Sequence, residues 1–191
     1  MTDTGALDPS HVTGVILAGG AGRRAGGRDK GLIEWEGRAL VAHVAERIKP
    51  QCGTLLVSCN RNLEKYSVYG TTMPDQLAGF QGPLAGLHAA APHINTPLTL
   101  LCPCDVPDIP WNLAATLAAA LQDSSQAVAH AQTNGRNHYC CALIRSECLG
   151  SLQEFLDAGG RAVRLWYESV GGIAVSFDTG ESSFRNMNSP D

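Results

Sequence analysis

LAGGAGRRAGGRDKG, residues 17–31, decides how this chain is read. It follows a strand-like run, Gly14-Val15-Ile16-Leu17, and six of the thirteen residues from 19 to 31 are glycine. Arg23, Arg24, Arg28 and Lys30 sit among those glycines, opposed only by Asp29. Glycine lets backbone approach a ligand closely and aim consecutive N–H groups at one oxygen-rich object. Guanidinium forks and an ammonium point charge supply the countercharge that suits phosphate. The stretch therefore reads as a triphosphate-gripping loop at the carboxyl end of a parallel strand.

Three phosphate-loop designs compete for that reading. A Walker-type loop needs Gly-Lys followed by Ser or Thr, and Asp29-Lys30-Gly31 excludes it. Gly20-Ala21-Gly22-Arg23-Arg24-Ala25 satisfies the loose G-x-G-x-x-A dinucleotide fingerprint, which should run straight into a helix. Gly26 and Gly27 follow instead, and the second strand ends Val57-Ser58-Cys59-Asn60, without the acidic residue that would hold a ribose. The third design, the nucleotidyltransferase loop in which Gly, Arg and Lys wrap a nucleoside triphosphate, fits best.

The composition is that of a globular rather than a disordered chain. The chain has 191 residues, 44% hydrophobic and 17% charged, which predicts one globular domain with a sizeable core. A flexible leader is expected over 1–11 and a single nucleotidyltransferase domain over 12–191. The net charge of −4 argues against nucleic-acid or anionic-membrane binding, so the basic loop is a local exception. No apolar run approaches the roughly 18 residues of a membrane helix, and residues 1–11 lack the features of a signal peptide. Seven irregularly spaced cysteines read as buried thiols of a cytoplasmic protein rather than a disulfide framework or a zinc site.

Along the chain, hydrophobic patterning predicts strands at Val12–Leu17, Thr54–Cys59, Val68–Met73 and Pro97–Cys102. It predicts helices at Ala39–Ile48, near Arg61, at Leu84–Ala91 and at Ala114–Leu121. Ile33–Gly37 reads as a short strand and turn. This alternation implies parallel strands joined by right-handed crossovers. It then breaks, with strands at Gln126–Ala131 and His138–Ile144 around Thr133-Asn134-Gly135. Helices at Glu147–Leu156 and Ala162–Val170 and a last strand at Ile173–Phe177 complete a mostly parallel, mixed sheet in an α/β fold.

Ligands bind beyond the carboxyl ends of such strands. That edge receives the 17–30 loop, Ser58 and Asn60, Asp75, and the Cys104-Asp105-Val106-Pro107-Asp108 segment. A carboxylate directly after the most apolar strand is costly without a partner. Facing a triphosphate loop, Asp105 reads as a magnesium ligand, because Mg²⁺ favours one or two carboxylates plus phosphate oxygens and water. Asp108 reads as orienting the following helix, Arg28 as facing solvent, His138 as structural and Cys104 as packing.

Four segments in order, LAGGAGRRAGGRDKG, PDQLAGFQGPLAGL (74–87), CPCDVP (102–107) and FRNMNSPD (184–191), resemble the bacterial molybdenum cofactor guanylyltransferase family over nearly the whole chain. The resemblance implies a three-layer, Rossmann-like nucleotidyltransferase fold. It also implies Mg²⁺-dependent transfer of GMP from GTP to the terminal phosphate of molybdopterin, with transient contacts to other molybdenum cofactor biosynthesis or acceptor proteins. Carried over by position, Leu17, Ala18 and Gly19 would contact guanine through backbone groups, Gly20 would join the nucleotide-binding set and Lys30 would hold the triphosphate. Asp75 would lie beside the GTP, Gly82 and the residues to Gly86 would shape the nucleoside side, and Asp105 would bind Mg²⁺. Asn186 and Asn188 would approach the reacting phosphates or the pterin. Arg23, Arg24 and Lys30 would share the charge that develops on pyrophosphate.

The chain departs from the family pattern at three places. Ala25 stands where the family usually has Met, Ser58 where it more often offers Asn, and Asn188-Ser189-Pro190 where Asn-Thr-Pro leads into a helix. At the nucleotide, Ser58 or Asn60 would substitute. The rival readings are a cytidylyltransferase for the same cofactor, a sugar-phosphate nucleotidyltransferase and a GTP-binding regulatory module. The cytidylyltransferase is disfavoured by Leu17-Ala18-Gly19-Gly20, where that group tends to carry Leu-Ala-Ala-Gly.

Overall fold

The computed structural model describes residues 7–19, 29–75, 82–122, 124–178 and 183–187. Seven strands form one sheet: β1 (Val12–Leu17), β4 (Thr54–Ser58), β5 (Thr71–Met73), β6 (Leu98–Pro103), β7 (Val128–Thr133), β8 (Arg136–Arg145) and β9 (Gly172–Ser176). Their order is β5-β4-β1-β6-β8-β7-β9. β8 alone runs antiparallel to both its neighbours, while the other pairings are parallel. The first crossover carries a small hairpin, β2 (Glu34–Trp35) with β3 (Arg38–Ala39), before α1 (Leu40–Ile48).

Helices cover both faces, so the central strands are apolar without polar alternation. On one face α1 and α4 (Leu113–Gln122) pack Val41, Val44, Ile48, Leu117 and Leu121 over Val12, Ile16 and Leu100. On the other, α3 (Pro83–Ala90), α5 (Ser151–Asp157) and α6 (Val163–Val170) bring Leu84, Leu87, Leu152 and Trp166 over Val15 and Leu101. Burying side chains of this size stabilises by about 1.5–3 kcal/mol each. Two polar ties fix α1 against α4. Arg47 donates to Asp108 at 2.9 Å, and the buried Gln51 amide donates to Arg47 and Pro110 carbonyls while its oxygen accepts the Ala114 N–H. Asp108 thus holds the approach to α4.

Several boundaries differ from the sequence reading. The third strand starts at Thr71 rather than Val68, because residues 67–70 turn after α2 (Leu63–Tyr66) and leave Val68 exposed. The helix expected from Glu147 begins as a 3-10 turn, Ser146–Gly150, and becomes α-helical only at Ser151. The β7–β8 strands run to a two-residue Asn134-Gly135 turn, both residues at positive φ as a twist-matched hairpin demands. Residues 7–11, assigned to the leader by composition, are ordered against the fold. Asp8 caps the Pro9–His11 turn, and Leu7 packs against the core.

Candidate active site

Strand order places a topological switch point between β1 and β6. The chain leaves β1 toward β4 and β5 and returns on the other side to β6. Backbone hydrogen bonds prolong the ladder past the strand ends, from Ala18 N–H to Ser58 O, Cys59 N–H to Met73 O and Cys104 N–H to Leu17 O. Four outputs of the parallel strands are thereby held side by side, where ligands of such sheets bind.

At the switch point Lys30 donates to Asp105 Oδ2 at 3.2 Å, bridging 75 residues of sequence. Asp105 is only 8% exposed, and its carbonyl accepts the Met187 N–H at 2.8 Å. The residues either side of Lys30 are fixed. The Asp29 carboxylate accepts from the Tyr66 hydroxyl and, at 2.9 Å, from the Asn62 amide.

A second cluster gathers Gly19, Ser58, Asn60 and Asp75. Ser58 Oγ donates to Asp75 Oδ1 at 3.2 Å, and Asn60 Nδ2 donates to Asp75 Oδ2 at 2.7 Å and to Gly19 O at 3.2 Å. In return the Asp75 N–H donates to Asn60 Oδ1 at 2.7 Å. The sequence offered Ser58 and Asn60 as alternatives at the nucleotide. Both instead hold the Asp75 carboxylate, and Asn60 also holds the loop entry. α3 closes over this cluster because Gly86 has no side chain. A Cβ there would lie 2.6 Å from Ser58 Oγ. Gly82 is the cap residue of α3.

Because β8 runs backwards, its first residues reach the same edge. A cavity of about 420 Å³ lies beyond β6, lined by Pro103, Val106, Arg136, His138, Arg164 and Asn186 among others. His138 accepts or donates one hydrogen bond with Thr133 at 2.7 Å and stacks on Phe184, ring centroids 4.9 Å apart. Burial, followed by Arg136 and His130, lowers its pKa, so the ring favours the neutral form. Behind it, His130 lies under Tyr139 and Tyr167, and Asn137 joins His130, Gln132 and Tyr139. The chain end returns here, with Phe184 buried against Phe177 and Asn186 at the cavity.

The structure therefore brings Leu17, Ala18, Gly19, Lys30, Ser58, Asn60, Asp75, Gly82, Asp105 and Asn186 to one sheet edge. Gly20, Arg23, Arg24 and Asn188 lie outside the described residues. Tyr66, Asn62 and Phe184 belong to no phosphate-binding motif, and only their contacts single them out. Burial pushes the Cys104, Cys102 and Cys141 thiols well above their ordinary value, so these cysteines are packing groups rather than thiolates. Among the described residues no group of three or more His, Cys, Asp or Glu side chains forms a metal cage. No described helix is long and apolar enough to cross a membrane.

Residues 14–170 match the MobA-like NTP transferase domain. The chain is 38% identical over 182 residues to a molybdenum cofactor guanylyltransferase of Shewanella sp. (strain MR-4), covering 95% of this chain and 92% of that one. It is likewise 38% identical over 178 residues to the enzyme of that name from Mannheimia succiniciproducens, covering 93% and 94%. Among solved structures, molybdopterin-guanine dinucleotide biosynthesis protein A of Archaeoglobus fulgidus superposes with a TM-score of 0.75 over 93% of each chain, at 22% identity. A 4-diphosphocytidyl-2C-methyl-D-erythritol synthase of Anaerococcus prevotii reaches 0.73 at 11% identity, over 95% and 92%, which is a likeness of fold alone. With the family model spanning most of its length and such relatives matched nearly end to end, this chain belongs to the MobA-like NTP transferase family.

Proposed function

We propose that this protein transfers GMP from GTP to the terminal phosphate of molybdopterin and releases pyrophosphate. The Lys30–Asp105 pair at the β1/β6 switch point carries the reading, because it sets a cation and a shielded carboxylate where a triphosphate would cross the sheet edge. The names of the curated relatives supply the nucleotide and the acceptor.

In this reading the loop backbone at Leu17–Gly20 meets guanine, and Asp75, held by Ser58 and Asn60, faces the nucleoside. The 420 Å³ cavity beside Arg136, Arg164 and Asn186 receives the acceptor. The donor set fits Mg²⁺ better than a softer metal. Among the described residues it offers one hard carboxylate without a thiolate or imidazole cage, leaving phosphate oxygens and water to complete the shell. When bound at Asp105, the ion would neutralise phosphate charge.

An anionic oxygen of the acceptor phosphate attacks the α-phosphorus of GTP. The bond from that phosphorus to the bridging oxygen breaks, and pyrophosphate leaves with the electron pair. No general base is needed. Lys30, with Arg23 and Arg24, stabilises the charge growing on the leaving group, and the fixed edge supplies alignment.

Pyrophosphate release, measured with molybdopterin, Mg²⁺ and either GTP or CTP, tests the proposal alongside Asp105→Asn. The expected result is release with GTP alone, lost in the variant. Release with CTP would reassign the nucleotide, and GTP binding without release would remove the transferase reading.

A further inference from the structure

Lys30 opens a single 3-10 turn, Lys30–Leu32. The residues on either side of it are held from outside that turn. Asp29 starts the turn, its carbonyl accepting the Leu32 N–H at 3.1 Å. One carboxylate oxygen takes the Tyr66 hydroxyl, and the other takes the Asn62 amide at 2.9 Å.

Tyr66 is fully buried at the end of α2, 37 positions along the chain from Asp29. Gly31, on the other side of Lys30, is pressed against the same phenol. A Cβ there would lie 2.5 Å from Tyr66 Oη and 3.2 Å from Cys104 Sγ. Both residues flanking the lysine are thus referred to one hydroxyl, and Cys104 immediately precedes Asp105.

We propose that Tyr66 is a positioning residue for Lys30. Through Asp29 and Gly31, its buried hydroxyl sets where the ammonium meets the triphosphate of the nucleotide. Asn62 is the second arm of the same clamp, in a left-handed conformation at φ 52° that asparagine tolerates. Burial pushes the phenol of Tyr66 well above its ordinary pKa, so it remains a donor to Asp29 across the working pH range. The inference rests on the assignment of Lys30 to the triphosphate. It adds a residue that never reaches the ligand.

A double-mutant cycle on Mg²⁺–GTP binding, read by calorimetry, tests it. Tyr66→Phe keeps the buried ring and deletes only the hydroxyl. It should weaken GTP about tenfold with the folded circular-dichroism spectrum kept. In a Lys30→Ala background the same substitution should add less than twofold, because nothing remains to be aimed. Asn62→Gly keeps the left-handed backbone and serves as the second probe should Tyr66→Phe not fold. It should weaken GTP several-fold, again only when Lys30 is present. Unchanged affinity in Tyr66→Phe, or an equal loss with and without Lys30, would overturn the proposal. Wild-type GMP transfer, measured separately, distinguishes the two readings. A protein that binds GTP and obeys this cycle yet releases no pyrophosphate removes the transferase reading and keeps the clamp.

Discussion

Lys30 and Asp105 are 27% and 11% exposed at their side chains, so the carboxylate is largely shielded while the ammonium is partly screened by water. Removing one partner of a largely buried pair leaves the other charge uncompensated. Lys30→Ala should therefore lower the urea midpoint and, in the folded protein, lower turnover about 10²–10³-fold, the usual effect of losing one preorganised contact. A turnover close to wild type would remove Lys30 from the proposed chemistry. Asp75 stands differently, with both oxygens engaged by side-chain donors. Gly86→Ala probes that cluster from α3, because the new methyl would press on it at 2.6 Å from Ser58 Oγ and lie 2.9 Å from Leu17 Cδ2. Overpacking costs about 1–3 kcal/mol, so denaturant unfolding should show a loss in that range together with weaker GTP binding.

At the scale of elements, the β7–β8 hairpin carries a pH dependence. Burial lowers the pKa of His130 and, with Arg136, that of His138 below the ordinary 6.5. His130 Nδ1 is also buried without a hydrogen-bond partner among the described residues. The unfolded chain consequently binds more protons than the folded one below about pH 6.5. Stability is then complete above that pH and declines as pH falls through it toward the depressed folded values. Urea unfolding from pH 7.5 to 5 should show the decline, and His130→Gln should flatten part of it.

The same hairpin measures how far sequence reading reached among elements. Thr133-Asn134-Gly135 announced a turn between two strands. Nothing local said that β8 would insert between β6 and β7, because strand order is decided by which faces the whole chain can bury. The third strand was read three residues too long for a related reason. Val68 is apolar, yet it projects from a turn, and a short window cannot tell an exposed valine from a buried one.

Over the whole molecule, the places of Asp75 and Asp105 at the sheet edge and the mixed sheet were legible because they follow from contiguous runs of sequence. The clamp on Asp29 was not, since Tyr66 and Asn62 belong to an unremarkable polar stretch and act across 37 and 33 residues of separation. The return of residues 184–187 to the site was expected from the resemblance alone, and the contacts that hold it were not legible. Phe184 is buried between His138 and Phe177, and three residues later Met187 bonds to the Asp105 carbonyl. Removing a large core side chain of this type costs about 3–5 kcal/mol. Phe184→Ala should approach that loss in chemical denaturation and should also raise the KM for the acceptor, because Asn186 sits two residues away at the cavity.

One reversed strand in the sheet also divides labour along the gene. Residues up to Asp105 build the proposed nucleotide side, and residues from Val128 onward build most of the proposed acceptor wall, joined there by Pro103 and Val106. The two halves meet across β6 and β8 through backbone pairing, which makes few demands on side-chain identity. Recombination within the α4–β7 connection could then reassort donor and acceptor preferences between related transferases. A chimera joined there should inherit its nucleotide from one parent and its acceptor from the other.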